Sequence, residues 1–304
     1  MMQMLKQNPF ENAHIWWVHY SDYEWRKADD GYLYLLPAVD SKPTVYDAIQ
    51  FADQMVTDAV NIGLNITHKH PDEEIQRDIH QFACQYGLLG LMTALPTTVD
   101  FIDYERVYLL KNQFIRQEMM ETMDYLRLFF PFEMPMLRKS GVESMWSISG
   151  RDKNQVALAM TFREDPQAKV MTLMPNYGER LEWMKGVFLD WNFTLMSSFL
   201  YHRYKDELDN DSLNLYRQGI VCFKGNAPCY HLELRDTTRM VWDFHSLMLA
   251  IKFLFSLSLS NGTIPLRICS QCSRAFVARR SDMQFCSDVC RGKYQKEKKR
   301  NGKR

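Results

Sequence analysis

Apolar positions alternate or cluster with two different periods along this chain, and the period predicts the elements. Up to about residue 40, aromatic and strand-like runs (HIWWVHY, GYLYLLPAV) predict short strands. From Pro43 the pattern changes. Val45, Ala48, Ile49, Ala52, Met55, Val56 and Ala59 recur at helical spacing, with Thr44 and Asp47 as a capping pair and Gly63 as the stop. PDEEIQRDIHQFACQYGLLGLMTAL predicts a second helix. Pro71 and three acids open it, and Ile75, Ile79, Phe82, Ala83 and Tyr86 line one face. A third helix is expected over much of DYERVYLLKNQFIRQEMMETMDYLRLFF, ended by Pro131 and Pro135.

Residues 142–175 read as strands and turns (MWSISG, QVALAMTF, KVMTLM). NYGERLEWMKGVFLDWNFTLMSSFLYHRY returns to helical spacing through Leu181, Met184, Phe188, Trp191, Leu195 and Phe199. The acidic DELDNDS is expected to be a loop, and VCF and CYHLEL to pair as strands. TTRMVWDFHSLMLAIKFLFSLSLSNG is expected to be a helix apolar nearly all round, hence central and buried. The fold class is therefore α+β, mainly α: a helical body with minor strands over residues 1–263, followed by a small module over 267–304.

That module changes the picture. Cys269 and Cys272 are separated by two residues, Cys286 and Cys290 by three, with thirteen residues between the pairs. Four soft thiolates suit a tetrahedral metal, and a C-x2-C knuckle converges its sulfurs because the chain turns at once. Ser287 is a good helix N-cap with Asp288 after it. This places Cys286 at a strand end and Cys290 in a first helical turn: knuckle, short hairpin, ligand-bearing helix, a treble-clef-like plan. The apolar side chains Phe276, Val277, Met283, Phe285 and Val289 are too few to fold about 38 residues alone. One structural zinc ion per chain, held by Cys269, Cys272, Cys286 and Cys290, is expected to supply the deficit. Four thiolates leave no open position for catalysis. Cys84, Cys222 and Cys229 lack ligand spacing and read as buried core thiols.

Charge sharpens this further. The chain has 304 residues and zero formal net charge. From Arg267 onward, however, twelve basic side chains face three acidic ones, leaving 25 against 34 in the remainder. Such asymmetry suggests an anion-seeking arm on an acidic body. Arg279 and Arg280 at the hairpin tip, and Arg291, Lys293, Lys296, Lys298, Lys299 and Arg300 on the helix, are the expected nucleic-acid contacts, because clustered cations release counterions from a phosphate backbone. DNA is favoured over RNA. A solvated basic tail or a protein-binding surface would carry the same charges. A homodimer or a protein partner is left open.

The stretch RICSQCSRAFVARRSDMQFCSDVCRGKYQKEKKR resembles the C-terminal zinc finger of bacterial CGNR-type proteins, through Cys269, Cys272, Phe276, Cys286, Cys290 and the preceding apolar helix. Cys290-Arg291-Gly292-Lys293 stands where that family reads C-G-N-R. The resemblance implies a DNA-binding transcription regulator with a non-catalytic body. Two alternatives stay open. One is a protein-interaction finger. The other rests on RMVWDFH, which resembles the R-x4–6-H motif of HEPN ribonucleases and would make Arg239 and His245 catalytic in an RNA-cleaving toxin or defence protein. His68-Lys69-His70 reads as a surface pair, and no phosphate-binding glycine loop is present. At 46% hydrophobic and 13% aromatic residues the chain is globular and not disordered. The N-terminus has no leader pattern, and the longest apolar run contains Lys252 and is too short to span a bilayer, so the expected location is cytoplasmic with no membrane partner.

Overall fold

A computed structural model describes residues 13–95, 101–135, 167–204, 206–221, 229–234, 236–260, 266–278, 280 and 282–301. The chain is α+β. Its described residues fall into two units: residues 1–50, 76–184 and 226–250 in the first, and 51–75, 185–225 and 251–304 in the second. Among them no helix is long and apolar enough to cross a membrane.

The first unit holds most of the strands. They are β1 (Ala13–His14), β2 (Trp16–Tyr20), β3 (Tyr23–Lys27), β4 (Leu33–Pro37) and β5 (Pro43–Asp47). β2 pairs antiparallel with β5, and β4 lies between β3 and the two-residue β8 (Glu179–Arg180). Asp47, expected as a helix cap partner, ends β5 instead. Its carboxylate accepts from Ile15 N (2.9 Å) and Ile49 N (3.2 Å) and meets His14 Nδ1 at 2.6 Å. The helix thus begins later than expected, as α1 (Ala52–Thr67), behind a single 3-10 turn. Val45 and Tyr46 favour a strand, and pairing with Trp17 and Val18 outweighs the helical spacing.

α2 (Asp72–Tyr86) forms with its predicted face but ends before GLLGLMTAL, which was expected to continue it. Ile75, Ile79, Phe82, Ala83 and Tyr86 are all buried. Gly87 ends it at φ +90. A side chain there would also meet Val18 O, since its Cβ would lie 2.2 Å away. The turn that follows leads to α3 (Leu91–Ala94) and is held by one fully buried carboxylate. Glu179 accepts from Leu89 N (2.9 Å), Leu91 N (2.8 Å) and the Tyr177 hydroxyl (2.8 Å). Burial raises its pKa against the pull of those donors.

The expected third helix is absent over most of its length. A hairpin of β6 (Arg106–Tyr108) and β7 (Met119–Glu121) precedes a short α4 (Thr122–Arg127). The apolar residues that suggested helical spacing are divided. Val107 and Leu109 are buried from the hairpin side, whereas Tyr108 and Leu110 are exposed, a period of two. KVMTLM, expected as a strand, opens on the helix α5 (Gln167–Met171). MWSISG and QVALAMTF lie outside the described residues. α6 (Leu181–Tyr204) forms over most of the expected stretch, but Glu179–Arg180 at its start are a strand.

DELDNDS is more than a loop. Asp209 caps an unexpected helix, α7 (Asn210–Val221), accepting from Ser212 N at 2.8 Å and Ser212 Oγ at 2.9 Å. CYHLEL forms β9 (Cys229–Leu234), but its partner is β10 (Thr238–Asp243), which also takes β1 on its far side. The central apolar helix is therefore shorter than expected, α8 (Leu247–Ser260).

In the second unit α1 and α6 approach closely at Gly63. A Cβ on Gly63 would lie 2.2 Å from Phe188 O and 2.6 Å from Asn192 Cβ. Gly63 is therefore not the helix stop that its residue type suggested. It lies inside α1, and its missing side chain is what lets the two backbones meet. Met55, Val56, Ala59, Val60, Phe188, Trp191 and Phe255 are buried in this unit.

Candidate metal centre and its basic helix

The cysteine module is built on a short hairpin, β11 (Leu266–Ile268) against β12 (Ala275–Val277). The first cysteine pair occupies the hairpin's own turn, and does not precede it. Cys269 N donates to Arg274 O (2.9 Å), and Ser273 N returns to Cys269 O (2.9 Å). Ser273 takes the left-handed conformation, φ 57, that so tight a turn requires. The chain then comes back alongside. Ser270 N donates to Gln284 O (2.9 Å), and the Arg267 guanidinium reaches Met283 O (3.1 Å). Arg267 is thus a brace within the module. Cys286 sits in this returning segment and not at a strand end. Ser287 caps α9 (Asp288–Asn301): its hydroxyl accepts from Cys290 N at 3.3 Å and its carbonyl from Arg291 N at 3.1 Å.

These elements bring the ligand atoms of Cys269, Cys272, Cys286 and Cys290 all within 4.8 Å of one another. Cys286 Sγ lies 3.7 Å from Cys272 Sγ and 3.5 Å from Cys290 Sγ. A tetrahedral ion with metal–sulfur bonds of about 2.3 Å separates its sulfurs by about 3.8 Å. Both the donor set and the spacing therefore fit a metal ion. Cys286 N points at Cys269 Sγ from 3.4 Å. Burial pushes the Cys269 thiol up, yet the backbone N–H groups of Cys286, Cys272 and Gln271 outweigh it and bring it down to about 6. Desolvation and the hydrogen bonds with Cys290, Cys269 and Cys272 push Cys286 up to about 12. Adjacent sulfurs share protons because adjacent negative charges repel, and a bound cation reverses that preference.

Around the sulfurs the core is small. Cys269, Phe276 and Ala278 are buried, with Met283, Phe285 and Cys290 packed against them. Val289, expected in that core, is 67% exposed. The module is also tied to α1. Asn61 is buried and makes a two-point contact with β12: its Oδ1 accepts from Ala275 N (2.7 Å) and its Nδ2 donates to Ala275 O (3.1 Å). One amide side chain thereby continues the ladder at a strand edge. Asn61→Ala is expected to leave both backbone groups unsatisfied. It should cost about 2–3 kcal/mol and speed hydrogen exchange at Ala275, which amide exchange read by mass spectrometry would detect.

α9 has two differently used sides. Cys290, Tyr294 and Glu297, at i, i+4 and i+7, face the module. Tyr294 packs on Phe285 with ring centroids 5.1 Å apart, and Gln271 donates to Glu297 at 3.1 Å. Lys293, Lys296 and Arg300 share a neighbouring stripe, and with Lys298 and Lys299 they are exposed. Arg291 pairs with Asp288 on the same helix. Arg280 lies after β12 and not at the hairpin tip, 3.5 Å from Asp282. Arg279 is outside the described residues.

The remaining expectations are placed as follows. Arg239 is on β10, opposite Glu233 of β9, and His245 is in the connection to α8, so the RMVWDFH segment is not the start of a helix. The β-branched and aromatic residues of TTRMVW favour the strand, and CYHLEL supplies its partner. His68 and His70 are exposed, and His70 pairs with Glu74 at 3.0 Å. Cys229 is exposed and not a core thiol, and Cys222 is outside the described residues. Cys84 is half-buried, and its ligand atom gathers with those of Asp22 and His80 within 4.8 Å. Burial, then Asp22, raise its pKa, the opposite of an activated nucleophile. Cys84 is therefore neither a buried core thiol nor without a ligand-type neighbour: His80 stands four residues before it, a signal that the expectation overlooked, whereas nothing in the sequence marks the approach of Asp22. Comparison with family models, with curated proteins and with solved structures finds no match to this chain.

Proposed function

We propose that the chain is a nucleic-acid-binding protein whose C-terminal treble-clef-like module holds one structural zinc ion and presents α9 to a phosphate backbone, DNA ahead of RNA. The observation that carries this reading is the division of α9. Its Cys290–Tyr294–Glu297 side is committed to the metal module, which leaves Lys293, Lys296 and Arg300 as an outward cationic stripe on a helix that the ion would hold fixed. Thiolate-only ligation favours zinc among the abundant divalent ions. The likeness of RICSQCSRAFVARRSDMQFCSDVC to CGNR-type fingers supports a role in transcription regulation, with the rest of the chain as a regulatory or sensing part.

The test is fluorescence anisotropy of the full-length, metal-loaded protein on labelled duplex DNA, single-stranded DNA and RNA across a salt series. Binding is expected to weaken linearly in log–log form, with a slope of about 0.9 for each phosphate neutralised on duplex DNA. Charge reversal at Lys293, Lys296 and Arg300 together should reduce that slope by about 2–3. Salt-independent binding, or a slope unchanged by the triple variant, would instead favour a protein-binding finger.

A further inference from the structure

We infer that Asp22, His80 and Cys84 form a second metal site, for a divalent transition ion of the zinc class, within the first unit and independent of the cysteine module. His80 and Cys84 stand one turn apart on α2, a spacing that sets two side chains on the same face. Asp22 comes from the turn between β2 and β3, where its Oδ1 accepts from Tyr23 N at 2.9 Å. Cys84 Sγ lies 3.7 Å from His80 Nδ1 and 3.9 Å from Asp22 Oδ1, and one ligand atom of each of the three residues lies within 4.8 Å of the other two. Two bonds of about 2.0–2.3 Å meeting at a tetrahedral angle span about 3.3–3.8 Å, so Cys84 Sγ stands close to ligating separation from both His80 Nδ1 and Asp22 Oδ1.

The imidazole is prepared for the role. Its Nε2 lies 2.6 Å from Tyr23 O, close enough only for an N–H donating to that carbonyl, and 3.4 Å from Asp22 Oδ1. This leaves the lone pair on Nδ1, the ring nitrogen nearer the sulfur. A ligand histidine whose second nitrogen is held by a backbone carbonyl has its tautomer and ring orientation set before the ion arrives. Imidazole, thiolate and one carboxylate together suit Zn2+, Co2+ or Ni2+ better than Mg2+ or Ca2+, which prefer oxygen ligands. The site is open to solvent. The Asp22 side chain is 63% exposed and that of His80 31%. Three protein ligands at such a surface leave a fourth position to water. Binding would tie the β2–β3 turn to α2 and displace the Cys84 thiol proton.

The experiment counts ions in the full-length protein after equilibration with Co2+ or Zn2+ and removal of the excess. Wild type is expected to retain one more ion per chain than Cys84→Ala or His80→Asn. The Co2+ spectrum of wild type minus Cys84→Ala should show the sulfur-to-cobalt charge-transfer absorption of a single thiolate. Asp22→Asn, at an exposed turn that tolerates substitution, should hold the extra ion about tenfold or more weakly. Equal ion counts in wild type and the well-folded variants, or Asp22→Asn affinity equal to wild type, would overturn the site. The difference between wild type and variants is read whatever the cysteine module itself holds, so this result stands or falls apart from the proposal for that module.

Discussion

Cys269→Ser should lose one bound ion per chain and melt the segment from β11 through α9. Apparent binding energies of structural zinc in small modules are about 10–16 kcal/mol, and nothing else in the segment approaches that. Among its described residues the buried cluster is small, Cys269, Phe276 and Ala278 with Ala275 buried beside them, and Cys269 is itself the residue removed. α9 cannot stand alone. It is charged around most of its circumference, with Lys298, Lys299 and Arg300 adjacent, and an isolated helix of about 14 residues is marginal even for better sequences. Metal analysis together with amide exchange over α9 checks the prediction. Protection of α9 that persists in the metal-free variant would show that the helix is held by something other than the ion. Acid should act in the same direction, since protons compete with the ion for all four sulfurs.

Gly63→Val is expected to destabilise the second unit by more than about 3 kcal/mol, an overpacking penalty at the upper end of what single substitutions do. The contact it would create is with backbone, Phe188 O at 2.2 Å from the new Cβ, and a backbone carbonyl cannot rotate away as a long side chain can. Either α1 and α6 separate or the helix bends. Separation would also strain the Asn192 Nδ2 to Thr67 Oγ1 bond (2.8 Å) one turn away. Gly63→Ala carries the same Cβ and should be destabilising too. Urea unfolding measures both. A stable Gly63→Val protein would mean that the two helices are not in this contact.

Much of the candidate metal site was legible because its chemistry is local. Short internal spacings keep the sulfurs of each cysteine pair close, and Ser287 before Asp288 marks a helix start from three or four consecutive residues. The long helices were legible for a similar reason: α2 and α6 repeat their apolar face over several turns. Short segments were not. Val45 to Asp47, Arg106 to Tyr108 and Thr238 to Asp243 each hold apolar residues compatible with either period, and strand pairing with Trp17, Met120 and Leu232 settled them. Arg239 and His245 were misplaced by this ambiguity.

Asn61 and Asp22 show the other limit. Asn61 is one asparagine in a helical run, and its value lies in meeting Ala275, 214 residues later. Asp22 is an exposed turn residue until the fold sets it beside His80 and Cys84, more than fifty positions away. By itself the sequence determined the two close cysteine pairs, the capped basic helix beyond them and the apolar face of α2, because each depends on residues within a few positions of one another. Only the tertiary structure decided that Gly63 is a point of helix contact, that Asn61 holds the strand edge of the cysteine module and that Asp22 meets His80 and Cys84 of α2. Those depend on which surfaces meet, and chain closure over long separations leaves no periodic trace in the sequence.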